Sequence, residues 1–242
     1  MTSGLRDYHV HSTWSDDAES SLEENLAAAR QRGLATICMV EHVRRNSAWV
    51  SDFVAAANAL RPRADLEVLV GLEAKLLDTA GTLDLPDDVA GLDHILVADH
   101  QWPTADGPRT PGQVRDLLLE GRMGKGELVA ALVDATASAV VRYEHTIVAH
   151  LWSILPKVGL SEDDVPDAAL AHLARQAARH GALVEVNEKW SCPGVRTLRH
   201  LVDADVHLVL STDAHHCRDV GVYRRSADLL ALATGAPAVV ST

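Results

Sequence analysis

Seven short apolar runs, each followed by a histidine or an acid, set the strongest constraint on how this chain can fold. The runs are Leu5–Val10, Leu34–Val40, Leu66–Leu72, His94–Ala98, Thr146–Ala149, Ala182–Val186 and Val206–Leu210. Continuous apolar character marks strands buried on both faces, as parallel strands are. Helical patterns at Leu22–Gln31, Ala48–Leu60, Glu127–Val141, Asp167–Arg179 and Val195–Val202 fall between them. Ser20 or Ser21 can cap the first helix, and Gly33 and Gly181 stand where helices should end. Pro103, Pro108, Pro111 and Gly112 mark a long loop. This alternation predicts an α/β barrel rather than an open sheet, and 242 residues suit one domain spanning 1–242.

The polar residues fall where such a barrel opens. His11 ends the first run, Glu41 and His42 follow the second, and Glu73 follows the third. His100, His150, the stretch Glu185 to Glu188, and Asp213 with His215 follow the remaining four. The carboxyl ends of parallel barrel strands carry the loops that build active sites. Asp7, His9 and His11 share an i, i+2 spacing that puts them on one strand face, as do Asp213 and His215. Imidazoles and carboxylates gathered this way suit a metal centre, and a metal-dependent hydrolase is the expectation.

Composition narrows the partners. A formal charge of −12 and no Lys/Arg stripe exclude a long nucleic acid. No apolar run approaches a membrane span, the first residues lack an apolar secretory segment, and three cysteines lack CxxC spacing. A cytoplasmic location follows as an expectation.

The ordered set DxHxHS…SD, EH, GLE, the histidine after the fourth strand, AH and DAH resembles the PHP family, named for polymerase and histidinol phosphatase. The resemblance covers essentially the whole chain. It implies a distorted seven-stranded TIM-like barrel holding two to three divalent ions, usually zinc, manganese or iron. By the family pattern one ion takes His9, His11, Glu73 and Asp213; a second shares Glu73 and adds His100 and His150. A third takes Asp16, His42 and His215. Glu41 stands where an Asp is usual, and Leu151 where a Pro is common. Asp7, Glu73 and Asp213 are the acids expected to share in catalysis, Asp7 as an inward carboxylate that orients an imidazole or moves a proton.

Such a centre keeps a positive charge that attracts a phosphate dianion and lowers the pKa of a bridging water toward ~7. In-line attack of hydroxide on phosphorus is the expected chemistry. Basic residues trail the ligands: Arg44 and Arg45, Lys75, Lys189 and Arg218. All five tryptophans follow mouth positions, with Trp152 and Trp190 nearest their strands, while the chain has a single Phe. These are the expected substrate contacts, a pocket wall for a flat organic body. A small phosphorylated metabolite, with histidinol phosphate foremost, is the expected substrate. Nucleotide phosphodiester hydrolysis, hydrolysis of a non-phosphate ester or amide, and a non-catalytic PHP module are the alternatives.

Overall fold

The structure, a computed structural model, describes residues 4–87 and 89–235. The seven runs are seven parallel strands: β1 Arg6–Val10, β2 Thr36–Val43, β3 Glu67–Lys75, β4 His94–Ala98, β5 Thr146–Val148, β6 Leu183–Asn187 and β7 His207–Ser211. They pair in sequence order, and a parallel bridge between Val10 and Ala214 brings β7 beside β1. The result is a nearly closed barrel with helices between the strands.

Among the described residues seven α-helices cover it: α1 Leu22–Gln31, α2 Val50–Asn58, α3 Pro111–Leu119, α4 Lys125–Arg142, α5 Asp167–His180, α6 Val195–Asp203 and α7 Arg225–Thr234. Ser21 and Glu24 form a capping box that starts α1, satisfying two otherwise orphaned backbone donors. The proline-marked loop gives way to α3, because Thr110 and Gln113 form a second capping box and Pro111 occupies the first turn, where its missing N–H costs nothing. No helix among the described residues is long and apolar enough to cross a membrane.

The barrel has two apolar layers. Outside, the helices pack on residues such as Ile37, Met39, Leu72 and Val148. Inside, Tyr8, Cys38, Val40, Leu96, Ile147 and Val209 fill the lumen. Gly71 is required there: a Cβ would stand 3.0 Å from a Leu96 methyl and 3.3 Å from a Val40 methyl. That plug closes the bottom of the barrel and leaves the inward positions at the strand ends for polar side chains.

One register shift decides which residues reach that end. Asp7 pairs with Ile37 but Val10 with Met39, so β1 spends three residues where β2 spends two. The extra residue reverses the alternation, as a bulge does. Asp7 therefore lies opposite outward-facing Ile37, while Tyr8 packs in the lumen. The shared face expected for Asp7, His9 and His11 holds only for the two histidines.

Candidate metal centre

Glu73 is the hub. Its strand face runs inward at the end of β3, and its carboxylate is buried. One oxygen, Oε2, lies 2.7 Å from His42 Nδ1, 3.3 Å from His11 Nε2 and 3.4 Å from His9 Nε2. The other, Oε1, lies 2.8 Å from His150 Nε2 and 3.0 Å from His100 Nε2. Five imidazoles from four strand ends thus converge on one carboxylate. Oε2 nevertheless accepts no hydrogen bond, a buried oxygen without a proper donor. His9 Nε2 and His11 Nε2 face each other at 2.9 Å. Nitrogens and an oxygen aimed at common points, with poor mutual hydrogen bonding, fit ligands arranged around cations.

Three groups could each hold an ion: His9, His11 and Glu73; His42, Glu73 and His100; and His11, His42 and His215. Asp213 joins them, with Oδ1 3.6 Å from His11 Nε2 and 3.4 Å from His215 Nδ1. Its Oδ2 accepts from the Trp190 indole N–H at 2.9 Å, and Lys189 Nζ stands 3.4 Å from Oδ1. Of the expected ligands, only Asp16 makes none of these contacts. It lines the adjoining cavity, while Asp17 places Oδ2 3.4 Å from His42 Nε2 and 3.2 Å from His215 Nε2. Two adjacent acids in a turn point in different directions, and sequence spacing could not choose between them.

Charge is distributed to match. Burial alone would raise the Glu73 carboxyl, but the charges of the His100 and His9 imidazoles, with hydrogen bonding from His100, hold it well below the usual carboxylate range. Burial likewise opposes the ionised Asp213, and the charges around it, His9 foremost with His150 and Lys189, lower it to about 2. Burial pushes His11 down to about 3, so it offers a neutral nitrogen. His150 is raised to about 10 against its burial, by hydrogen bonds to Asp99 and Glu73.

A set of buried acids orients the ligands, and it differs from the one the sequence suggested. Asp7 touches no imidazole. It accepts from the Thr212 hydroxyl at 2.5 Å, from the Thr212 N–H at 3.0 Å and from the Gly221 N–H at 2.9 Å, which ties β1 to the loops after β7. The bulge has turned it outward. Glu185 does the orienting instead, with Oε1 2.8 Å from His9 Nδ1 and Oε2 accepting the His150 N–H at 3.0 Å. That second bond holds His150 at a φ of 27°, a strained backbone for a histidine. Asp99 Oδ1 lies 3.2 Å from His150 Nδ1 and accepts from the Ser153 hydroxyl at 2.7 Å. Glu41, raised by burial to about 7, accepts from the Ser12 and Ser15 hydroxyls, and Ser15 Oγ lies 3.3 Å from His11 Nδ1. Asp99 sits beside His100 in sequence, but its role needs the neighbouring strand and carries no local signal. Glu185 carries one: a lone acid inside an otherwise apolar strand.

The expected substrate contacts divide. Arg44, Lys75, Trp14 and Trp49 line a cavity of about 400 Å³ together with His42, Glu73 and His100. Lys189 stands on the rim, 3.2 Å from His215 Nδ1. Trp190 is 40% exposed, enough to meet a ligand while its N–H serves Asp213. Trp152 is buried, its indole N–H 3.2 Å from the Thr197 hydroxyl, because a sequestered indole needs an acceptor. Trp102 is buried as well and donates to the Leu128 carbonyl. Arg218 is exposed and points to Asp219. Arg45 is exposed, and only its backbone N–H is engaged, by Asp84.

Comparison with known proteins identifies the family. The sequence profile of the PHP domain matches residues 7–189. A protein named as a probable phosphatase from Photobacterium profundum is 25% identical over 93% of this chain and 84% of its own length. Another from Vibrio vulnificus is 25% identical over 93% and 83%. The crystal structure of histidinol phosphate phosphatase from Lactococcus lactis subsp. lactis, complexed with zinc, L-histidinol and phosphate, superposes with a TM-score of 0.66 at 17% identity. The match covers 96% of this chain and 94% of that one, and it shows a shared fold. This chain belongs to the PHP domain family.

Proposed function

We propose that this protein is a metal-dependent phosphatase that hydrolyses a small organic phosphomonoester, histidinol phosphate or another metabolite phosphate. The observation that carries the reading is the buried Glu73 carboxylate facing five imidazoles at the open end of the barrel. The named activities of the two bacterial relatives, and the zinc, histidinol and phosphate of the structural neighbour, point the same way.

In this reading His9, His11, Glu73 and Asp213 hold one ion, and Glu73, His100 and His150 a second. His42 and His215 hold a third with Asp17, whose carboxylate touches both imidazoles; Asp16 is the acid the family pattern offers in its place. Zinc, manganese and iron all suit such ligands. Bound ions of this kind supply a Lewis acid and a water acidic enough to be a nucleophile at neutral pH. Glu73 would serve both of the first two sites, since each of its oxygens faces a different set of imidazoles. Trp190 and Lys189 hold the Asp213 carboxylate from two sides, which orients it toward His11. Lys189 also puts an ammonium at the rim, where a phosphoryl oxygen would arrive. Phosphate release from small monoesters, abolished by a chelator, is the expected result; metal-loaded protein that releases none overturns the reading.

A further inference from the structure

The cavity beside the cluster carries information about the substrate's body, provided that the protein is the phosphatase proposed above. His42, Glu73 and His100 form one wall of this space, whose roughly 400 Å³ suits a small molecule. Trp14, Trp49, Arg44 and Lys75 line it as well. The two indoles lie 6.0 Å apart between centroids, and both meet the ring of fully buried Phe53 edge-on, at 6.1 and 6.2 Å. They make a rigid apolar shelf anchored in the core.

The charge on this outer wall runs against that of the molecule. The chain carries −12 overall, yet two cations, Arg44 and Lys75, line this cavity, where Asp16 is the acid besides Glu73. The acid paired with Lys75 is Asp84, 3.7 Å away, and Asp84 also accepts the Arg45 N–H. Among the described residues the Arg44 guanidinium pairs with no carboxylate. The Arg44 guanidinium is therefore an open planar fork suited to a carboxylate or phosphate. A phosphoryl group at the imidazole cluster would meet the cations bound there, which leaves the Arg44 guanidinium for another anion.

We propose that the substrate is a phosphomonoester whose organic body has a flat apolar part, seated on Trp14 and Trp49, and a second anionic group, held by Arg44 and Lys75. A body bearing an ammonium, as histidinol does, meets charge of its own sign on this wall.

The test compares three esters on the metal-replete protein: phenyl phosphate, 3-carboxyphenyl phosphate and 3-(aminomethyl)phenyl phosphate. A charge-assisted contact should favour the carboxylate over phenyl by about tenfold in kcat/KM and set the amine below both. Arg44→Ala, at an exposed position, should shrink the carboxylate-to-phenyl ratio to about twofold, mainly through KM. A merely structural role for Arg44 would lower all three esters alike and leave the ratio standing, which overturns the proposal. So does a wild-type protein that turns over phenyl phosphate as fast as its carboxylate analogue. Failure to hydrolyse any of the three is a different outcome: it removes the phosphatase reading itself, and this inference with it.

Discussion

The carboxylate of Glu185 holds His9 from behind, its Oε1 2.8 Å from His9 Nδ1, while its second oxygen takes the backbone N–H of His150. A ligand imidazole whose far nitrogen is fixed this way has one tautomer and one orientation left for a cation. One buried acid on β6 thereby sets the geometry of ligands on the ends of β1 and β5. Glu185→Gln keeps the volume and removes the charge. It should weaken metal affinity by about 10- to 100-fold while the fold survives. Metal titration monitored by a competing chelator reads this directly, and an unchanged affinity would dismiss Glu185 as an orienting group.

The loop after β1 allows a choice between neighbours. Asp17 contacts His42 and His215, whereas Asp16 lines the cavity. Asp17→Asn should therefore lower bound metal by about one ion per chain, and Asp16→Asn should leave the count intact. Elemental analysis of both variants decides it; loss of an ion only in the Asp16 variant would restore the acid expected from the sequence.

Trp190 has two faces to its role, and a conservative change separates them. Trp190→Phe keeps an aromatic ring but removes the N–H that Asp213 Oδ2 accepts at 2.9 Å. One hydrogen bond to a charged acceptor is worth ~1.5–3 kcal/mol, so kcat/KM should fall at least about tenfold, equally for every ester. A loss that varies with the organic body would show instead that the ring contacts substrate.

Protons compete with metal for His150, whose pKa is raised to about 10 from an ordinary 6.5, despite burial, by hydrogen bonds to Asp99 and Glu73. A group raised in the folded state contributes stability that is complete below the unfolded value and is lost as pH climbs through the folded one. Chelator-treated protein should accordingly lose stability between about pH 6.5 and 10. Metal must displace the same proton, so apparent metal affinity should rise across that window. Urea midpoints of the chelated protein and metal titrations at pH 7 and 9 check both signs. Stability that rises with pH there would contradict the assignment.

The strands were legible because burial on both faces writes continuous apolar runs, and the plug inside the barrel needs them. The cluster of imidazoles around Glu73 was legible because a parallel barrel collects its strand ends in one place, so position along each run was enough. What failed to show depends on partners far away in sequence. The N-terminus of α7 is held by Glu188, which accepts from the backbone N–H groups of Arg224, Arg225 and Ser226, so no local capping residue announces the helix. The composition of the 103–112 loop hid the start of α3, although Thr110, Pro111 and Gln113 spell a helix cap. Asp7 was misplaced by a single bulge, since a one-residue slip reverses every face before it. Trp152 and Arg218 follow strand ends as closely as the residues that do reach the cavity, but one turns into the core and the other to solvent. Asp99 needs β5 beside β4 before its carboxylate has an imidazole to hold.

Glu73 offers the most direct test of the proposed metal centre, because both of its oxygens face imidazoles and no other described residue joins so many of them. Phosphate release from small monoesters should be measured for wild-type protein and Glu73→Gln, with bound metal counted in the same samples. The predicted result is chelator-sensitive turnover by the wild type, and a variant that loses metal together with at least about 100-fold in rate. A Glu73→Gln protein with full metal content and undiminished turnover would contradict it.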